Sequence, residues 1–103
     1  MDLANRVAIV TGSGRGIGRA IALKLAEVGA IVVVNDIDEA AAQGVAGEIQ
    51  AMGRQSLVVM ADIGSSEDVT RLVEAAVSTF GKVDILVNNA GISRDQLLIR
   101  MSD

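Results

Sequence analysis

Apolar residues follow two alternating patterns along this chain. Short continuous apolar runs, typical of strands buried on both faces of a sheet, are each followed by a stretch in which apolar residues recur every three or four positions, as on one face of a helix. The runs lie at residues 6–11 (RVAIVT), 31–35 (IVVVN), 56–61 (SLVVMA) and 83–87 (VDILV). The pattern predicts four strands with a helix between each successive pair.

The predicted helices have recognisable ends. Apolar periodicity covers residues 17–28, 40–52 and 69–80, and a glycine follows each segment directly, at Gly29, Gly53 and Gly81. Glycine is common just past the end of a helix because it adopts the left-handed conformation without strain. These signals place three helices between the four strands.

Capping patterns mark the start of the third helix and of one further helix. Ser65 followed by Asp68 resembles a capping arrangement and opens the third helix, and Ser93 followed by Gln96 repeats the pattern near the end of the chain. We therefore expect a short C-terminal helix beginning at Ser93.

Alternating strands and helices predict βαβ units with a parallel sheet and right-handed crossovers. The expected fold class is α/β, with the element order β-α-β-α-β-α-β. The 103 residues contain no proline and no linker-like tract, so residues 1–103 are expected to form one domain.

Charge and composition exclude several partners. The net charge is −4 and the nine basic residues are dispersed, which argues against a nucleic acid. No apolar run approaches the roughly 20 residues needed to cross a bilayer, and no signal-peptide pattern opens the chain. With no cysteine present, we expect a cytoplasmic protein without a membrane partner.

The chain lacks the side chains most often used for proton transfer or nucleophilic attack near neutral pH. It contains no His, no Cys and no Tyr, and its one aromatic residue is Phe80. Any catalysis by this chain would therefore need unusual side chains, and we predict no metal site.

A glycine-rich loop joins the first strand to the first helix. The stretch TGSGRGIG places Gly12, Gly16 and Gly18 in a G-x-x-x-G-x-G spacing. Such a loop presents backbone N–H groups and a helix N-terminus to an anion, and without side chains it lets a pyrophosphate approach closely. The other interpretation of these glycines is a tight turn.

An acidic residue follows the second strand. Asp36 lies where a carboxylate can accept hydrogen bonds from a ribose 2′-hydroxyl, and its charge would repel a 2′-phosphate, so it favours NAD over NADP. Alternatively, Asp36 is a solvated acid at the start of the next helix, beside Asp38 and Glu39.

These features together resemble the first half of a short-chain dehydrogenase/reductase. The resemblance is carried by the glycine motif, by Asp62 after the third strand and by residues 88–91 (NNAG) after the fourth, and it covers essentially the whole chain. Within the family, the tail at residues 91–103 (GISRDQLLIRMSD) is most similar to bacterial 3-oxoacyl-acyl-carrier-protein reductases. The resemblance as a whole implies half of a Rossmann fold with the parallel strand order 3-2-1-4.

The resemblance also implies a role for each matching residue. The glycine loop would hold the pyrophosphate and the adenosine ribose, Asp36 would hold the ribose hydroxyls, and Asp62 with Ile63 would hold the adenine. Ile37 is a further expected cofactor-binding residue. The expected loop residues are Gly12, Ser13, Arg15, Gly16, Ile17 and Gly18. Asn88, Ala90 and Gly91 would line the nicotinamide-side ribose, or would simply tie neighbouring strands together.

The preferred cofactor is NAD, although one signal conflicts with it. In relatives that use NADP, a basic residue in the position of Arg15 can reach the 2′-phosphate. We give more weight to Asp36, which both bonds NAD and repels NADP. NADP stays possible, as does the absence of any cofactor from this half alone.

The family's catalytic Tyr, with a Lys four residues later, belongs to the half that follows this sequence. The first hypothesis is therefore the cofactor-binding half of an NAD(P)H-dependent reductase of 3-oxoacyl substrates, as a fragment or truncation, inactive alone. The alternative is a non-enzymatic half-Rossmann module that forms a homo-oligomer through the uncovered edge of the fourth strand. A fold that binds S-adenosylmethionine shares the glycine loop and the acid after the second strand, but residues 88–91 argue against it. A flavodoxin-like fold that binds a flavin mononucleotide shares the topology only.

Overall fold

The chain builds a five-stranded sheet with helices on both faces. The structure is a computed structural model, and it describes residues 2–89 and the strand at residues 98–101. The elements along the chain are β1 (Val7–Val10), α1 (Gly16–Glu27), β2 (Ile31–Asp36), α2 (Glu39–Ala51), β3 (Ser56–Met60), α3 (Ser66–Phe80), β4 (Ile85–Asn88) and β5 (Leu98–Met101).

The sheet order is β3-β2-β1-β4-β5, and the first four strands are parallel. The predicted fold class, element order and 3-2-1-4 arrangement are therefore confirmed. In the centre, Val10 of β1 lies opposite Val34 on one side and Val87 on the other. A central parallel strand is covered on both faces, which explains why β1 is apolar and buried at every position.

Alternate residues of β1 face two separate cores. Ala8 and Val10 belong to the core beneath α1 and α2, whereas Val7 and Ile9 belong to the core beneath α3. Most of the residues that α1 and α2 bury are alanines or glycine, so these helices can lie close to the sheet. The fully or nearly buried helix residues are Gly18, Ala22, Ala26, Ala42, Val45, Ala46 and Ile49 on the first face, and Leu72 and Ala76 on the second.

Two of the three helices begin with a side-chain cap. Ser65 Oγ accepts the N–H of Asp68 at 3.3 Å, so the predicted cap of α3 is confirmed. Asp38 caps α2 by accepting the N–H of Ala41 at 3.1 Å. In each of these helices, one backbone N–H that has no partner within the helix therefore donates to a side chain.

Asp84 fastens the start of the central strand. Its carboxylate accepts the N–H of Val7 at 2.8 Å and lies 3.1 Å from Lys82 Nζ and 3.7 Å from an Arg6 nitrogen. The hydrogen bond from Val7 lowers the pKa of this carboxyl, and Lys82 and Arg6 lower it further, against the opposing effect of burial. Asp84 is thus an ionised group built into the sheet.

The C-terminal segment differs from the prediction. Residues 98–101 form β5, which pairs antiparallel with β4 and places Ile99 opposite Val87, so the expected helix was wrong over these four residues; residues 93–97 lie outside the described part. The physical reason is the edge of β4, whose backbone groups need partners that a helix cannot supply.

The same pairing removes the basis for one predicted interface. A homo-oligomer through the fourth strand required an open β4 edge, and that premise was wrong because the chain itself supplies the neighbouring strand. The outer strands of this sheet are β3 and β5.

Candidate functional site

A cleft of about 860 Å³ lies where the carboxyl ends of β1, β2 and β3 meet. This edge is where open parallel sheets bind ligands. Six of its lining residues were predicted from the sequence: Gly12, Arg15, Asp36, Ile37, Asp62 and Ile63. The other four are Asn35, Asp38, Ala61 and Gly64.

The glycine loop packs directly onto the first turn of α1. A Cβ atom at Gly18 would collide with the carbonyl oxygen of Gly12 and would lie 2.6 Å from the Asn89 side-chain nitrogen. That nitrogen donates to the same Gly12 oxygen at 3.2 Å. Position 18 therefore has room for glycine only, and the loop is held closely against the helix beneath it.

The N-terminus of α1 differs from those of α2 and α3. Its N-cap residue is Arg15, which offers no side-chain acceptor, and no cap bond is present among the described residues. The first N–H groups of a helix have no partner inside the helix, and they carry the positive end of its dipole. These donors lie next to the cleft, with Gly16 and Ile17 exposed beside them. Ile17 exposes 63% of its surface.

Asp36 binds the glycine loop from the end of β2. One of its carboxylate oxygens accepts the N–H of Gly14 at 2.9 Å, and the other accepts the N–H groups of Ile37 and Asp38 at 2.8 and 3.1 Å. A carboxylate has about four lone-pair positions, so one remains for a further donor. The Asp36 side chain is a fixed acceptor in the wall of the cleft.

Asn35 connects three strand ends beneath the cleft, and the sequence analysis missed it. Its amide nitrogen donates to the carbonyls of Val59 and Ala61 at 3.1 and 3.2 Å, and its oxygen accepts the N–H of Gly12 at 3.3 Å. The residue is almost completely buried. A polar amide closing the apolar run IVVVN was the available signal.

Ser13 is fully buried rather than exposed to the cleft. Its hydroxyl donates to the Val10 carbonyl at 2.8 Å and accepts the N–H of Asn35 at 3.0 Å, and its own N–H donates to the Asn35 carbonyl at 2.8 Å. We expected this side chain to contact a cofactor, but it forms hydrogen bonds inside the protein that join the glycine loop to β2.

Asp62 and Ile63 form the far wall of the cleft, after β3. An Asp62 carboxylate oxygen accepts the N–H of Gly64 at 2.8 Å, and the Asp62 N–H donates to Asp68 on α3 at 2.8 Å. Ile63 is half-buried, whereas Ile37 across the cleft exposes 76% of its surface. Two apolar side chains therefore flank a polar floor.

The loop after β4 contacts the glycine loop from the other side. The Thr11 hydroxyl lies 3.4 Å from the Asn88 side-chain oxygen and accepts the N–H of Asn89 at 2.9 Å. Asn88 is half-buried and is not among the residues that line this cleft, so its proximity to a nicotinamide ribose stays a prediction. Ala90 and Gly91, predicted to lie near a nicotinamide ribose, are outside the described residues.

Ionic groups give the cleft a mainly acidic character. The described residues that line it include Asp36, Asp38 and Asp62 but only one basic residue, Arg15. Arg15 forms a 2.6 Å ion pair with Asp38. In the described residues, 2–89 and 98–101, no group of three or more acidic side chains is arranged to hold a metal ion.

Comparison with known proteins identifies the family. The family model described as short chain dehydrogenase matches residues 6–103. The chain belongs to the short-chain dehydrogenase family. Members of this family bind a dinucleotide cofactor and are usually oligomers. None of the helices within residues 2–89 is long and apolar enough to span a bilayer.

Individual relatives match almost the whole chain. It is 47% identical over 100 residues to the 3-oxoacyl-[acyl-carrier-protein] reductase FabG of Staphylococcus epidermidis. The aligned region covers 96% of this chain and 41% of that protein. It is 44% identical over 103 residues to the (2S)-[(R)-hydroxy(phenyl)methyl]succinyl-CoA dehydrogenase subunit BbsD of Thauera aromatica, covering 42% of that subunit. The chain thus spans about two fifths of the length of these relatives.

Solved structures agree in fold. A short chain dehydrogenase from Mycobacterium avium has a TM-score of 0.85 and 44% identity over 93% of this chain and 38% of its own. A 7α-hydroxysteroid dehydrogenase complexed with NADH and 7-oxo glycochenodeoxycholic acid has a TM-score of 0.81 and 43% identity, and it covers 87% of this chain and 36% of its own. The parallel half-sheet is therefore the family's fold.

Proposed function

We propose that this chain binds the adenosine half of NAD in the cleft at the carboxyl ends of β1–β3. The observation that carries the proposal is the convergence of three separate segments on that one cleft. The glycine loop, the Asp36 turn and the Asp62–Ile63 turn are distant in sequence, yet all three line it. A single chance turn would not explain this convergence.

The residues present fit the chemistry of a dinucleotide. The uncapped first turn of α1 offers N–H donors to a pyrophosphate, and Gly18 allows the loop to lie flat against that turn. Asp36 retains acceptor capacity for a ribose hydroxyl, and Ile37 and Ile63 offer apolar surface to an adenine ring. Bound nicotinamide would supply hydride chemistry, to which these residues contribute binding and orientation.

The charges favour NAD as the bound form. Asp36, Asp38 and Asp62 all line the cleft, so a 2′-phosphate would enter a negative environment. Arg15, the one basic residue among the described lining residues, is already paired with Asp38. Ribose hydroxyls, in contrast, can donate to these carboxylates.

The proposed activity of the longer protein is NAD(P)H-dependent reduction of a 3-oxoacyl substrate. This rests on the 47% identity to a 3-oxoacyl reductase, while other relatives of nearly equal identity act on other substrates. The present 103 residues contain no Tyr, the proton donor that the family resemblance implies. We therefore expect this chain to bind the cofactor without transferring hydride.

Calorimetric titration of the chain with NAD⁺ and NADP⁺ tests the binding proposal. We expect saturable NAD⁺ binding and weaker NADP⁺ binding. Gly18→Ala should abolish NAD⁺ binding, because the added Cβ displaces the glycine loop. Gly47→Ala, the same change at an open position of α2, is the matched control and should leave binding intact. A folded wild-type chain that binds neither nucleotide would overturn the proposal.

A further inference from the structure

The side-chain amide of Asn35 has one permitted orientation at the end of β2, where it lines the cleft and is almost completely buried. Its nitrogen donates to the carbonyl oxygens of Val59 and Ala61 at 3.1 and 3.2 Å, so both of its protons are used. If the amide were rotated by half a turn, its oxygen would face these two carbonyl oxygens with no proton between them. The two carbonyls therefore direct the Asn35 oxygen toward the glycine loop.

The Asn35 oxygen holds the backbone of Gly12, where the chain turns from β1 into the loop. It accepts the N–H of Gly12 at 3.3 Å. Gly12 has a φ of 60°, in the left-handed region that favours glycine. The Gly12 carbonyl oxygen accepts the Asn89 side-chain nitrogen at 3.2 Å and lies directly against Gly18 in the first turn of α1. The Gly12 backbone therefore sets where the loop lies relative to the uncapped N–H groups of α1.

Other hydrogen bonds attach the glycine loop to β2 without the Asn35 side chain. The Asn35 carbonyl accepts the N–H of Ser13 at 2.8 Å, and the Asn35 N–H donates to the Ser13 hydroxyl at 3.0 Å. Gly14 is bonded to Asp36. A change of the Asn35 side chain leaves these bonds in place, so its effect on the loop is concentrated at Gly12.

We infer that Asn35 is a positioning residue for the pyrophosphate of the bound nucleotide. The inference rests on the proposed function, and it gives Asn35 a role that acts through Gly12. With the amide in place, the glycine loop is held against α1 before the ligand arrives, so the ligand does not have to order it. Without the amide, binding of the pyrophosphate would also have to order the Gly12 backbone.

Calorimetric titration of wild type and Asn35→Ala with ADP and with adenosine tests the inference. ADP carries the pyrophosphate, and adenosine lacks it. Asn35→Ala should weaken ADP binding by roughly fivefold to tenfold, the effect of one lost hydrogen bond. Adenosine binding should weaken by less than about twofold, because β3 stays paired with β2 through the strand hydrogen bonds. A residue that only stabilised the fold would not change the ratio of the two affinities.

Ile49→Ala is the control for a general loss of stability. Ile49 is fully buried in the last turns of α2 and is not among the residues that line the cleft. Its truncation leaves a cavity in the core, which destabilises the protein but should leave both affinities of the folded chain unchanged. Circular dichroism checks that each variant is folded at the temperature of the titration.

Asn35→Thr is the second variant, for the case that Asn35→Ala does not fold. Threonine is favoured in strands, and its side chain is too short to reach Gly12, so it should show the same selective loss of ADP affinity. Equal weakening of ADP and adenosine, or unchanged ADP binding, would overturn the inference while NAD⁺ binding by wild type still supports the proposed function. If wild type binds neither ADP nor NAD⁺, both fail together.

Discussion

The amide of Gly14 donates to a carboxylate oxygen of Asp36 at 2.9 Å, and a Cβ atom built at Gly14 would lie 2.6 Å from that same oxygen. The hydrogen bond and the lack of space for a side chain at Gly14 thus have one cause, which is the close approach of the glycine loop to the end of β2. Gly14 was not among the predicted cofactor residues. Its function is to let Asp36 hold the loop.

Gly14→Ala should destabilise the protein by about 2 kcal/mol, because the new methyl group would overlap the Asp36 carboxylate and the Ala41 side chain. Urea unfolding measures the change. Gly44→Ala is the control, since α2 leaves open space there, and alanine should stabilise that helix by about 0.5–1 kcal/mol. Equal effects of the two substitutions would contradict the close approach.

Asn35→Ala should cost about 3 kcal/mol of unfolding free energy, because it leaves the carbonyls of Val59 and Ala61 and the N–H of Gly12 without their partner. Chemical denaturation is again the measurement. Ser56→Ala is the control: the Ser56 hydroxyl is buried with no hydrogen-bond partner among residues 2–89 and 98–101, so its removal should cost nothing. A neutral Asn35→Ala would show that the amide does not connect the strand ends.

The fold was largely predictable from the sequence, because strand and helix periods alternate cleanly and local signals such as the Ser65 cap agree with them. The last segment was not, since residues 98–101 are apolar enough for either state. Pairing with β4 decides their conformation, and that is a long-range effect.

The positions of Gly12, Asp36 and Asp62 in the cleft were predictable, because each is a residue type suited to nucleotide binding and lies at the end of a predicted strand. The internal bonds of the site were not. Ser13 bonds to Asn35, and Asn35 in turn bonds to Val59, across separations of more than 20 residues in sequence. A single sequence without a structure does not show which polar residues face inward.

Asp84 should make stability depend on pH. Its pKa is lowered in the folded protein, chiefly by the Val7 N–H, relative to about 3.9 for an unfolded Asp. Ionisation therefore favours folding. This stabilisation is complete above about pH 5 and is lost as the pH falls through the folded pKa.

Asp84→Asn tests this linkage. At pH 7 the variant should be less stable than wild type by about 1 kcal/mol, because a neutral acceptor bonds Val7 more weakly. The difference should shrink as unfolding is measured at pH values below about 4. Glu74→Gln, an exposed change on α3, serves as the control and should show little difference at any pH. A constant Asp84→Asn penalty from pH 7 to pH 3 would argue against a charge effect.

Removal of β5 should expose the edge of β4. A chain ending at Asn89 loses the backbone partners of residues 85–88 and should pair with other copies, because an unpaired apolar strand edge recruits a neighbouring strand. Light scattering should give a larger average mass for the shortened chain than for the full 103 residues. Identical masses at equal, high micromolar concentration would show that β5 does not protect the edge.

The Asn35 amide has a consequence for motion as well as for stability. One side chain holds Gly12, Val59 and Ala61 together, so the ends of β1 and β3 cannot separate by independent fluctuations. The floor of the cleft should open as one cooperative unit, and the amides around it should exchange hydrogen with solvent at a common rate. A ligand bound against this floor would slow the hydrogen exchange of all these amides together.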